Sequence, residues 1–273
     1  MDKKEERQSL ELNLMEKEGF FAPIEPPQPE LQVWERQDFN YICFGGFYLA
    51  AIAGFINCCI FLKYSVTVSH STGTTTKMST SFSILDFSNA FYNLFLLFCF
   101  FCGCTFVGFT LSKEKFHYSR KYGLIMLVES ILLFAAIYMF KHHEGLDYSA
   151  MCFASVSMGI HNSLFTNFSG AVVRTTHVTG IITDIGLIIG HFIRGKDQSK
   201  DLWRLRVLVP LYVGFICGGI IGGLMFQMFE MSCLYIPFTA LFTTSIIWTL
   251  WRVLYKHSSD LQIERLTSNI KRV

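Results

Sequence analysis

Six apolar runs, each close to the length that crosses about 30 Å of hydrocarbon, constrain this chain more than any other feature: 41–62, 87–111, 122–140, 149–173, 206–229 and 232–255. A segment that spans lipid must satisfy its own backbone hydrogen bonds, and apolar runs of helical length do so as α-helices. Composition agrees, with 51% hydrophobic residues, 28 Phe and only 16% charged residues against about 25% in soluble domains. The expected fold is an all-α polytopic membrane protein of about six transmembrane helices, with the lipid bilayer as its first partner.

Other classes fit poorly. A net charge of +2, with basic residues confined to short loops, argues against nucleic-acid binding. Phosphate-loop, dinucleotide and nucleophile-elbow patterns are absent, so neither an enzyme nor a cofactor is expected. The nine cysteines lie in or beside apolar runs, as small packing residues do. Cys99, Cys102 and Cys104 have Phe and Gly as neighbours, and His142-His143-Glu144 has no second ligand cluster, so no metal site is expected.

Residues 1–38 carry ten acidic residues and Pro23, Pro26, Pro27 and Pro29. That composition reads as a disorder-prone tail without a signal-peptide core, and Phe20, Phe21 and Trp34 could anchor it on a protein partner. Basic residues gather at Lys113 to Lys121, Arg194 to Arg206 and Arg252 to Arg272. The positive-inside rule sets all three on the cytoplasmic or matrix side of a plasma or mitochondrial inner membrane. Two stretches, Val66 to Leu85 and Arg174 to Phe192, are too polar for lipid and are expected to be broken or re-entrant helical segments buried inside the bundle.

The chain repeats itself. Gly54-Phe55-Ile56-Asn57 recurs as Gly159-Ile160-His161-Asn162; His70-Ser71-Thr72-Gly73 with Thr76 recurs as His177-Val178-Thr179-Gly180 with Thr183; Cys102-Gly103 with Gly108 recurs as Cys217-Gly218 with Gly223. Each unit reads as one crossing, a polar segment and two crossings, so an odd count inverts the second unit relative to the first. The organisation expected is a tail (1–38), a first membrane repeat (39–140), a second (141–257) and a polar C-terminal tail (258–273), which is a further possible protein contact.

The motifs Ala53 to Asn57, Val68 to Gly73, Met158 to Asn162 and Val173 to Gly180 resemble the YoaK-like bacterial membrane proteins, a family of unknown function, over about residues 42–255. The resemblance implies an acidic residue where Asn57 stands, Asn at Thr74 and Gln at His161. Any ion coupling through that acid would be lost here.

Inverted repeats with matched polar breaks are a transporter pattern, with a site between the units. The expected solute-binding set is His70, Thr72, Gly73, Thr76, Asn57 and their counterparts His177, Thr179, Gly180, Thr183, Asn162, suited to a small polar or anionic solute at helix starts. Glu129, costly inside an apolar run, is expected to handle protons or ions with Arg174 and Asp184, the latter two as an ion pair. His161 is expected to be a packed donor, and Gly214, Gly218 and Gly222 to mark close helix packing. The alternative is a non-catalytic accessory or scaffold subunit of a large membrane complex, such as a mitochondrial respiratory assembly.

Overall fold

A computed structural model describes residues 39–111, 119–143, 145–168, 175–195 and 202–270, without the side chains of 255–270. The acidic tail with its aromatic anchors, most of the loop at Lys113, Glu144, Arg174 and the loop at Lys196 therefore lie outside the described residues. All regular structure among the described residues is helical: α1 (Phe39–Tyr64), α2 (Ser71–Ser83), α3 (Phe87–Thr110), α4 (Arg120–His142), α5 (Asp147–Phe168), α6 (Val178–Ile193), α7 (Leu202–Phe229), a 3-10 turn (Glu230–Leu234) and α8 (Tyr235–Ile270).

By length and apolarity, α1, α3, α4 and the stretch Leu202–Leu254 suffice to cross a membrane. That stretch is two passes, because the chain turns over at Glu230, whose φ is 47°. α5, nearly as long as α4 but less apolar, packs between α3 and α4, where its Ser155, Ser157 and His161 side chains bond to Leu96, Glu129 and Leu49.

Contacts fix the directions. α5 runs antiparallel to α1, since Leu49 lies opposite His161 and Tyr64 donates to Asp147 at 2.6 Å. It runs antiparallel to α4 through Asn167–Tyr122 and His161–Glu129, and parallel to α3 through Tyr148–Tyr92 and Ser155–Leu96. α7 follows α1 in parallel, Gly214, Gly218 and Gly222 lying on Phe47, Ala51 and Phe55. α8 opposes α4, with Trp248 donating to the Ser119 carbonyl and Phe238 packed on Phe134. Thus α1, α4 and α7 point one way and α3, α5 and α8 the other: the second unit is the first turned over.

The two units interlock through matched glycines. A Cβ on Gly54 would overlap the Phe215 carbonyl and one on Gly218 the Ala51 carbonyl; in the other copy, Gly159 meets the Phe100 carbonyl and Gly103 that of Val156. Only glycine lets the helix backbones approach so closely.

The first polar segment is re-entrant. Ser65, with φ of 53°, reverses the chain after α1. Asn57, two turns back along α1, donates to Ser69 Oγ at 2.5 Å and accepts from Ser69 N. α2 then returns to Asp86, which caps α3 by accepting from Asn89 N. The Asn89 side chain also donates to this carboxylate, and together the two bonds hold it below the usual carboxylate range.

The expectation that both polar segments are buried inside the bundle is not met. Among described residues α2 buries only Thr74, and α6 only Ile181 and Ile188. α2 tolerates exposure because Thr74, Thr75, Thr76, Ser79 and Thr80 each donate back to the carbonyl four residues earlier.

Candidate functional site

The fully buried ionisable groups Glu129 and His161 meet near the middle of α4 and α5. His161 Nδ1 lies 2.6 Å from Glu129 Oε1, and its Nε2 donates to the Leu49 carbonyl at 2.9 Å. A carbonyl can only accept, so Nε2 carries a hydrogen and one further proton lies between Nδ1 and the carboxylate. Whichever side holds that proton, the pair is neutral overall, which is how two ionisable groups can occupy the interior. Glu129 Oε2 has no hydrogen-bond partner. The pair joins the units, with Glu129 from the first, His161 from the second and the Leu49 carbonyl from α1.

Leu49 also lines a half-open cavity of about 210 Å³ between α1, α4, α5 and α8. Met126 and Leu164, each one turn from the pair, line its inner part, while Tyr41, Tyr122 and Phe168 stand toward the helix ends that carry Arg120, Lys121, Arg204 and Arg206. Tyr48 donates to the Ala240 carbonyl at 2.9 Å and shares a hydrogen bond with Thr244.

The expected solute-binding residues are placed differently. His70, Thr72, Thr76, His177, Thr179 and Thr183 are exposed, and His70 and His177 give their helices no side-chain cap. The H-x-T-G motif has a local reason: a Cβ on Gly73 would run into the His70 ring, and one on Gly180 into the His177 ring. Asn57 ties the re-entrant segment to α1, whereas its counterpart Asn162 has an unpartnered side-chain oxygen.

Asp184 pairs with Arg204 of α7 at 2.9 Å; Arg174, its expected partner, lies outside the described residues. Glu129 has the partner its position demands, and that partner is His161. His161, which sequence reasoning placed among packed donors, is thus the partner of Glu129. The available signal was that it replaces Ile56 of the first repeat at a fully buried position. Among described residues no cluster of His, Cys, Asp and Glu could hold a metal.

An all-α polytopic membrane protein of two inverted, interlocked units is the class defined by this fold. Residues 45–247 match the family described as a protein of unknown function (DUF1275), and the chain belongs to that family. No curated protein and no solved structure matches it.

Proposed function

We propose that this protein is a proton-coupled carrier in which the Glu129–His161 pair handles the proton. The observation that supports this most is the neutral, fully buried pair with one unpartnered carboxylate oxygen, placed where the two units meet. Charged groups inside a membrane bundle are costly and mark ion or proton pathways, and inverted units put such a site at their interface. Binding of one more proton leaves the pair positive and loss of one leaves it negative, so each change favours reorganisation at the unit boundary. The basic helix ends face the cytoplasm or matrix in this reading. The YoaK-like motifs of the chain belong to the same proposal. No catalysis and no bound cofactor is invoked.

A second reading, a non-catalytic accessory subunit of a larger assembly, is favoured by the outward placement of the histidine–threonine segments. The test uses the purified chain in proteoliposomes with a pH-sensitive dye inside and a panel of small solutes outside. Solute-driven proton entry is expected, abolished by Glu129→Gln. A wild-type protein that moves no protons with any solute, and purifies in a stoichiometric complex, overturns the carrier in favour of the accessory subunit.

A further inference from the structure

The cavity below the pair has an internal control, because the repeat places a counterpart opposite each part of its wall. Gly45, Leu49, Leu164 and Phe165 of the wall correspond to Ala150, Ala154, Cys59 and Ile60, by the register of Gly54 and Gly159. All four counterparts are 0% exposed and belong to solid packing. On α4 and α8 the register of Cys102 and Cys217 pairs Met126 with Leu241 and Trp248 with Leu133. The contacts of Gly123 with Thr249 and of Phe134 with Phe238 obey the same register, and Leu241 and Leu133 are again fully buried. The same architecture is therefore filled at one end and open at the other. Leu133, Ile60 and Cys59 close the filled end; bulky Trp248 and Phe165 hold the open end apart.

The chemistry of the wall restricts what can enter. It contains no charged side chain, so it offers no counter-ion to a charged solute. Trp248 N–H is used on the Ser119 carbonyl and Tyr48 O–H on α8. Tyr122 accepts from Asn167, and the surface the wall turns to the cavity is almost wholly apolar. Gly45 lies in the wall with open space where a side chain would project.

We infer that this cavity binds a neutral aromatic molecule, which packs among Tyr48, Phe165 and Trp248. The inference rests on the carrier reading, and makes such molecules its cargo in place of the polar or anionic solute expected from the helix starts.

Benzophenone has this chemistry and cross-links on illumination. With the full chain in lipid nanodiscs, saturable adducts are expected on cavity residues such as Met126. Gly45→Phe, which fills the space, should abolish them, and Trp248→Leu, which copies Leu133 of the filled end, should weaken apparent affinity about fivefold, the worth of one aromatic contact. If Gly45→Phe does not fold, Trp248→Leu alone decides. Adducts confined to lipid-facing residues such as Phe109, adducts insensitive to these variants, or a phospholipid released from the cavity only by Gly45→Phe would each overturn the inference. Failure here with solute-driven proton entry intact removes the cargo class alone; saturable labelling without proton entry removes the coupling alone.

Discussion

The first and second units share a plan but not their polar equipment. In the first, Asn57 holds Ser69 and ties the re-entrant segment to α1; in the second, Asn162 stands at the same place with its oxygen unpartnered. The contact between α4 and α5 contains Glu129 and His161, whereas the matching contact between α8 and α1 has Thr244 and Ile56 in their places. Backbone geometry is thus duplicated while chemistry is not. Glycines fix the plan twice, and one residue difference in each copy creates the ionisable pair.

The largest expected effect tests whether that pair is one unit. Glu129→Leu leaves His161 buried without its partner and should lower stability by about 3–5 kcal/mol, as removal of one member of a buried pair does. Glu129→Thr combined with His161→Ile copies the other contact and should recover most of the loss. Thermal unfolding in nanodiscs checks this, and equal losses in the single and double variants would refute the coupling.

Next come the glycines, where the copies should behave alike. Gly54→Ala and Gly159→Ala each press a methyl group into a facing carbonyl and should cost about 1–3 kcal/mol. Gly45→Ala, with open space before it, should be neutral in the same melts. A difference between Gly54 and Gly159 as large as either effect would break the symmetry of the interlock.

The smallest effect sharpens the contrast between the asparagines. Asn57→Ala strips Ser69 of its partner and should cost about 1 kcal/mol, with faster hydrogen exchange at Ser69. Asn162→Ala should change stability by less than about 0.5 kcal/mol, because its side-chain oxygen has no bond to lose.

Much of this architecture was legible in the sequence. Apolar run length marks the passes, Glu230 falls between two of them, and repeated glycines at 54, 103, 159 and 218 announce close contacts. The site was harder to read. Glu129 stood out because a carboxylate in an apolar run needs a partner, but nothing along the chain names His161, which approaches only when α4 and α5 run antiparallel. The H-x-T-G motif also has a local side: its glycine packs against the ring of its own histidine, so part of the recurrence there records a turn. The cavity left no pattern, since Tyr48, Phe165 and Trp248 look like ordinary lipid-facing aromatics until four helices bring them together.

The glycine interlock also has a consequence for biosynthesis. Because α3 meets α5 and α1 meets α7, the first unit emerges from the ribosome with two backbone grooves that only later segments can fill. Integration therefore cannot finish unit by unit: the early helices must wait in the bilayer, accessible to chaperones and proteases, until α7 arrives. A chain cut in the connection between α4 and α5 and expressed as two pieces should reassemble, each piece protecting the other from degradation.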